Sequence, residues 1–335
     1  MKVVVFKNDM MGKLYGKKYD MQFFYNLWKE CLEDREEIDE VIYHDYVYTV
    51  DDLAYVCKDV DAAVGMWINN DLITRELLER CPKTKYFSTA AHGYGRFDLD
   101  ATHEHNVTLT NTIYGDVTIA QYAMGMLLDL CHNVTRHSDN YKNERFTNPN
   151  YSQIIHPQIE LFEKTIGIIG LGSIGLKFAE MARGFGMNVI AYSRSKNTDP
   201  NYAFIEQVSF DEVLAKSDFI SIHCPLTEDT KHLINDDAIS KMKDDVIIIN
   251  TARGDIIDEE ALYNALKSGK VLGAGLDVVS GEPLQAPCKL MECENVKITA
   301  HIAWLTIESR VRGVRMMSDN LINWIHGNPT YVINK

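Results

Sequence analysis

The chain has 335 residues, 46% hydrophobic and 24% charged, which suits two globular domains with sizeable cores better than one. Its 48 acidic against 34 basic residues leave a formal net charge of -14, which argues against a nucleic-acid partner, because phosphate-backbone binding needs clustered Lys and Arg. Seven scattered cysteines with no CxxC pair, a first apolar run too short for a signal segment and no window long enough for a bilayer point to a reduced, cytoplasmic protein with no membrane partner.

Taken in order, residues 1–110 alternate between short apolar runs and amphipathic stretches. Strands are expected over 3–6, 41–43, 62–67, 86–90 and 107–110, with helices over 23–32, 51–57, 75–80 and 98–105 between them. Such alternation predicts a parallel sheet covered on both faces. Residues 116–141 carry an uninterrupted helical stripe (Ile119, Tyr122, Ala123, Met126, Leu127, Leu130, Val134), which predicts one long helix bridging two domains. The polar 143–162 segment reads as a loop. Strands over 166–169, 189–192, 219–222, 246–250, 273–277 and 296–299, a weaker one near Phe204, and helices such as 211–216 and 259–268 predict a second, doubly wound fold. A helix through Val311, Val314, Met317, Leu321 and Trp324 suggests a return to the first domain. The organisation expected is α/β with two doubly wound parallel-sheet domains and a cleft between them. A flavodoxin-like substrate domain spans 1–112 plus 305–335, and a Rossmann dinucleotide-binding domain spans 113–304, led by the long helix 116–141.

The strongest motif follows the strand at 166–169. Gly170, Gly172 and Gly175 have the spacing G-x-G-x-x-G and run into a helix through Ser173, Ile174, Phe178 and Met181. Gly170 permits the tight turn, Gly172 lets a pyrophosphate approach the backbone, and Gly175 lets helix and strand pack closely. The helix N-terminus then presents free N–H groups to the phosphates.

Ligands of such folds lie outside the carboxyl ends of the strands. Three chemically capable side chains fall there: Arg253 in Asn250-Thr251-Ala252-Arg253-Gly254, Glu282 in Asp277-Val278-Val279-Ser280-Gly281-Glu282-Pro283, and His301 in Ala300-His301-Ile302-Ala303-Trp304. Together they suit reduction of a 2-keto acid. Arg253 can hold a carboxylate with paired N–H bonds and polarise the adjacent ketone. His301 can donate a proton to the oxygen, and Glu282 would favour its imidazolium and fix its orientation. No metal site is expected, since His103 and His105 stand at i, i+2 and Cys288 and Cys293 lack further ligands.

These motifs, spread over nearly the whole chain, resemble the D-2-hydroxyacid dehydrogenases. The glycine loop, His223-Cys224-Pro225-Leu226-Thr227, Thr251-Ala252-Arg253-Gly254, the 277–283 segment and His301 each match an element of that family. The resemblance implies that Arg253 binds substrate and that Glu282 and His301 form the acid pair. It implies cofactor contacts at Ser173, Ile174, His223, Cys224, Pro225, Thr251, Ala252 and Asp277. His301-Ile302-Ala303-Trp304 and Ala90-Ala91-His92-Gly93-Tyr94 lean toward the glycerate dehydrogenase and hydroxypyruvate (glyoxylate) reductase branch, with Trp304 and the backbone N–H groups of His92 and Gly93 as substrate contacts. Ala300, where Pro is usual, and Gln121, where many members have Glu, depart from the pattern without removing a reacting group. A homodimer built around the second domain is also implied.

The cofactor preference turns on Ser193. In the family the acid that receives the adenosine ribose hydroxyls falls eighteen positions after the third glycine, and here that position is Ser193, followed by Arg194, Ser195 and Lys196. A hydroxyl beside two cations would accept a 2′-phosphate that a carboxylate would repel, so NADP(H) is expected ahead of NAD(H). The function expected is hydride transfer between NADP(H) and a small 2-keto or 2-hydroxy acid, with hydroxypyruvate/D-glycerate or glyoxylate/glycolate favoured. The alternatives are a non-catalytic dinucleotide-sensing protein of the same fold, which would not need all of Arg253, Glu282 and His301, and a relative that oxidises formate or phosphite.

Overall fold

The computed structural model describes residues 1–7, 21–45, 49–65, 70–90, 93, 97–144, 157–284 and 286–334. The chain divides into two compact units, Met1–Gly115 with Leu305–Lys335 and Asp116–Trp304.

In the first unit β1 (Lys2–Phe6), α1 (Met21–Leu32), β2 (Glu40–His44), α2 (Val50–Cys57), β3 (Ala62–Gly65), α3 (Arg75–Arg80), β4 (Tyr86–Thr89), α4 (Leu99–Glu104) and β5 (Thr108–Thr110) follow one another. The strands pair in parallel in the order β2-β1-β3-β4-β5, the flavodoxin-like winding. Val4, Phe6, Ala63, Phe87 and Leu109 join one buried cluster with Leu53, Cys57, Leu77, Leu78 and Ala101 from α2, α3 and α4. Local chemistry sets the helix starts: Thr49, Thr74 and Asp98 each accept a backbone N–H from the first turn of α2, α3 and α4. The strand expected over 62–67 is β3 as far as Gly65; residues 66 and 67 lie outside the described residues.

The second unit opens with α5 (Asp116–His132) and α6 (Val134–Glu144). It continues with β6 (Thr165–Ile169), α7 (Ser173–Gly184), β7 (Asn188–Tyr192), β8 (Glu206–Gln207), α8 (Phe210–Lys216), β9 (Phe219–Ile222), α9 (Asp236–Lys241), β10 (Val246–Asn250), α10 (Glu259–Ser268), β11 (Val271–Leu276) and β12 (Val296–Ile298). All seven strands are parallel in the order β12-β11-β10-β9-β6-β7-β8. One buried cluster lies under α5 and α7 and another under α8, α9 and α10, so both faces are covered. That explains why β10 reads Val-Ile-Ile-Ile-Asn without alternation: every residue of it is buried. The strand order reverses between β6 and β9, which opens the crevice where ligands of this fold bind.

The single long helix expected over 116–141 is two helices. Asn133 adopts a left-handed φ of 51° and ends the first. Asn tolerates that conformation better than most side chains, and its Nδ2 donates to the Pro157 carbonyl. Asp129 Oδ1 accepts the Thr135 N–H and starts the second helix. The apolar stripe does not continue into the second helix: Val134, its last member, is on the surface at 62% exposure. α5 packs on α7, β10 and β11, within the second unit. The periodicity also gave no sign of α9, a short helix capped by the Asn235 side chain.

α11 (Ile307–Ile325) returns to the first unit, where it packs on α1, β3 and β4. The segment after it closes the β5 edge. Ile333 N–H donates to the Leu109 carbonyl, Asn334 Oδ1 accepts the Leu109 N–H, and Thr110 bridges Val332 antiparallel. Among the described residues no helix is long and apolar enough to cross a membrane.

α8 begins with a complete capping box, in which Ser209 Oγ accepts the Glu212 N–H while the Glu212 carboxylate accepts the Ser209 N–H. Ser209→Ala should cost about 1 kcal/mol, which hydrogen exchange would read as roughly fivefold faster exchange of the α8 amides; unchanged protection would show that the box adds nothing to this helix.

Candidate active site

The glycine loop lies at the carboxyl end of β6, on the edge of the switch-point crevice. Gly170 has φ of +102°, and a Cβ there would stand 2.6 Å from the backbone nitrogen of Cys224. A Cβ on Gly175 would overlap the Gly170 carbonyl, so both positions require glycine for reasons internal to the fold. Gly172 differs: nothing lies within 4 Å of an added Cβ, and it precedes Ser173 and Ile174 as the N-cap of α7 with no side-chain cap. The open side of the loop therefore faces a helix start whose first N–H groups receive no side chain. The Thr251 hydroxyl, at the end of β10, is buried and has no hydrogen-bond partner among the described residues. Such an orphan costs about 1–3 kcal/mol unless a ligand satisfies it. The open glycine, the uncapped helix and the unsatisfied hydroxyl together fit a dinucleotide.

Ser193 follows β7 directly and is half-buried, whereas Arg194, Ser195 and Lys196 are exposed. The turn is anchored from behind: Gln207 accepts the Asn197 N–H at 2.7 Å and donates to the Asn197 carbonyl at 2.7 Å. Neither Arg194 nor Lys196 has an ion-pair partner among the described residues. His223 follows β9, with the Phe178 ring tilted against it at 5.0 Å between centroids and Ser221 Oγ 2.9 Å from Nε2. Burial pushes its imidazolium down to about 3, so the ring is neutral. Burial also pushes the adjacent Cys224 thiol up to about 11. Pro225 is exposed, and its carbonyl accepts the Thr230 hydroxyl.

Three strand ends carry Arg253, Glu282 and His301. Asn250, buried at the end of β10, folds the next turn: its Nδ2 donates to the Arg253 carbonyl and its Oδ1 accepts the Ala252 N–H. Arg253 is thereby presented at the surface, with Nη1 donating to the Ala252 carbonyl at 2.6 Å. Glu282 Oε2 lies 2.9 Å from His301 Nδ1, while Oε1 accepts the Val279 N–H at 2.6 Å. Burial opposes ionisation of Glu282, but His301, the Val279 N–H and the Arg253 charge outweigh it and hold the carboxyl below its usual range. An ionised Glu282 requires Nδ1 of His301 to be the donor, which leaves Nε2 as the ring nitrogen that gains the second proton in an imidazolium. Nε2 has no partner among the described residues.

His301 itself has a left-handed φ of 55°, which a non-glycine residue adopts at a cost of roughly 1–2 kcal/mol. Asp277, 1% exposed at the end of β11, holds that geometry. Its carbonyl accepts the His301 N–H, and its carboxylate accepts the Thr299 hydroxyl at 2.6 Å, the Ile302 N–H at 3.0 Å and the Ala303 N–H at 2.8 Å. The indole N–H of Trp304 donates to the His301 carbonyl at 2.9 Å. So Asp277 and Trp304, expected from the sequence as cofactor and substrate contacts, are placed as supports of the histidine. Thr299 belongs to the same support and had no motif to reveal it. Gly93 lies in the first unit beyond β4, and His92 lies outside the described residues.

Comparison with known proteins places the chain in a family. Residues 124–303 match the family described as D-isomer specific 2-hydroxyacid dehydrogenase, NAD binding domain. The chain is 37% identical to the hydroxypyruvate reductase of Blautia hydrogenotrophica over 90% of its length and 94% of that protein. It is 34% identical to the glyoxylate reductase of Korarchaeum cryptofilum over 83% and 84%. Among solved structures, a glyoxylate reductase from Paecilomyes thermophila superposes with a TM-score of 0.82 at 26% identity, covering 99% of this chain and 98% of that one. An acyclic imino acid reductase in complex with NADPH and D-Arg gives 0.82 at 26% identity, over 99% and 100%. A nucleotide-binding unit with an Arg, a Glu and a His at three adjacent strand ends, matched over more than half the chain, makes this protein an enzyme of the D-isomer specific 2-hydroxyacid dehydrogenase family.

Proposed function

We propose that the protein reduces hydroxypyruvate or glyoxylate to the corresponding D-2-hydroxy acid or glycolate, with NADPH as the preferred hydride donor. The observation that carries the reading is the Glu282–His301 pair, in which Nδ1 faces the carboxylate and Nε2 has no partner among the described residues, with the Arg253 charge bearing on the same carboxylate. The relatives named hydroxypyruvate and glyoxylate reductase support the small substrates. A bound nicotinamide dinucleotide supplies the hydride. Gly170, Gly172, Ser173, Ile174 and Gly175 would hold its pyrophosphate, with Thr251 and Ala252 toward its nicotinamide end. Arg253 swings its guanidinium from the Ala252 carbonyl to the substrate carboxylate and polarises the neighbouring ketone. His301 gives its Nε2 proton to the ketone oxygen, and Glu282 stabilises the imidazolium before transfer.

The basic turn supports NADPH. Ser193 offers a hydroxyl where NAD-binding relatives place an acid, and the exposed Arg194 and Lys196 can meet a 2′-phosphate without first breaking an ion pair to a described residue. The homodimer reading rests on the second unit. There Arg136 of α6 donates to Glu294, just beyond the 289–292 turn, at 2.8 Å, and the two segments leave Val134 62% and Met291 51% exposed. The seven free cysteines fit a reducing, cytoplasmic setting.

His301→Ala should lower kcat by on the order of 10²–10⁴-fold while leaving cofactor affinity nearly unchanged, whereas Arg253→Lys, which keeps charge but loses the fork, should raise KM for the keto acid and lower kcat. Steady-state kinetics with dinucleotide binding by fluorescence would check both, and near-normal turnover in His301→Ala would remove the acid assignment. Two charge-assisted contacts to the 2′-phosphate should favour NADPH by on the order of 10²-fold in kcat/KM. The Ser193→Asp, Arg194→Ala double variant should move that ratio toward NADH, and equal use of both cofactors by the unmodified enzyme would refute the phosphate reading. Light scattering at micromolar concentration should give twice the mass of one chain; a monomer would rule the dimer out.

A further inference from the structure

The loop that carries Glu282 is held by a side chain outside the reacting set. After β11 it runs Val279-Ser280-Gly281-Glu282, and the Ser280 N–H donates to Glu259 Oε1 at 2.6 Å. Glu259 is partly buried in the first turn of α10. An acid at that position is ordinarily explained by the helix dipole. Here the helix start is already satisfied, because Asp258 Oδ1 accepts the N–H groups of both Glu260 and Ala261. The Glu259 bond instead leaves its own helix and crosses to another strand end. Glu260, the next residue, does what a solvated acid does: it pairs with exposed Lys289 at 2.6 Å.

A second contact bears on the same loop. Gly254, which follows Arg253, lies flat against it, and an added Cβ would overlap the Val279 carbonyl and the Ser280 nitrogen. The 253–259 segment therefore starts at the substrate arginine and ends on the loop of the catalytic carboxylate. Resting on the reading of Glu282 and His301 as the acid pair, we propose that Glu259 is a positioning residue: through Ser280 it fixes where the Glu282 carboxylate stands against His301, and through the 253–259 segment it ties that pair to Arg253. The charged groups that bear on Glu282 are His301 from the loop after β12 and Arg253 from the loop after β10. Glu259 approaches its loop from α10, and Asp277 supports the His301 loop from the end of β11.

The test compares Glu259→Ala, Glu259→Gln and Glu260→Ala by two measurements. One is kcat and KM for hydroxypyruvate across pH. The other is the titration of the Glu282 side-chain carboxyl by carbon-13 NMR on the full chain without cofactor. In Glu259→Ala the loop loses its anchor, so kcat should fall on the order of 10-fold with little change in KM for NADPH. The Glu282 titration should move up toward the ordinary carboxylate range, and the acid limb of kcat/KM should rise with it. Glu259→Gln keeps an oxygen acceptor and should restore both, and Glu260→Ala should match the unmodified enzyme. An unmoved Glu282 titration in Glu259→Ala, or a Glu259→Gln variant no better than Ala, would overturn the proposal. Gly254→Ala, pressing on the same loop from the arginine side, is the second variant and should shift the titration in the same direction; no shift there counts against the proposal too. Should the unmodified chain reduce no 2-keto acid, the substrate reading fails, while the carboxyl titration still decides whether Glu259 braces Glu282.

Discussion

Parallel pairing in the second unit is the constraint on which its chemistry depends. Because β6, β7, β9, β10, β11 and β12 all run the same way, their carboxyl ends emerge along one edge. The groups proposed to hold the dinucleotide and substrate in this unit, and the support of the histidine, each follow one of those ends: Gly170 after β6, Ser193 after β7, His223 after β9, Thr251 and Arg253 after β10, the supporting Asp277 after β11 and His301 after β12. An antiparallel neighbour anywhere in the series would send one of these groups to the opposite edge. The continuous burial of β9 and β10 keeps that edge rigid, since loops departing from strands with no solvent face inherit the precision of the core.

At the edge itself, backbone N–H groups do most of the positioning. Asp277 spends its carboxylate on Ile302 and Ala303, Glu282 spends one oxygen on Val279, and Asn250 folds the arginine turn through Ala252 and Arg253. Each acceptor satisfies backbone that has left a sheet ladder and would otherwise need water. The price is burial of carboxylate, and Glu282 shows how it is met: desolvation raises its pKa, yet the imidazole, the Val279 N–H and the guanidinium together more than reverse the effect. The net result is a carboxyl held below its usual range beside the histidine.

How much could be read from the chain alone follows from how local each signal is. The glycine loop was legible because its strand, turn and helix are contiguous and each glycine has a separate steric reason. Arg253, Glu282 and His301 were legible because strand ends can be found from apolar runs, even though the three are far apart in sequence. The break at Asn133 was not, since one residue's left-handed φ leaves no mark on the apolar spacing, and Val134 falls in register with the stripe although it lies on the surface. Nor were the supports of His301: Asp277 sits inside a recognisable motif, but its partners Thr299, Ile302 and Ala303 are fixed by the pairing of β11 with β12, which no local pattern encodes. Glu259 looked like any acid at the start of a helix.

The first unit is assembled from two stretches separated by the whole of the second. That arrangement bears on the order of events at the ribosome. Residues 305–335 are synthesised only after Asp116–Trp304, so a continuous nucleotide-binding unit can leave the exit tunnel while the earlier sheet still lacks α11 and the strip that seals β5. During that interval the nascent first unit exposes both an apolar face meant for Val314, Met317 and Leu321 and an unpaired strand edge, the two features that chaperones recognise and that neighbouring nascent chains can capture.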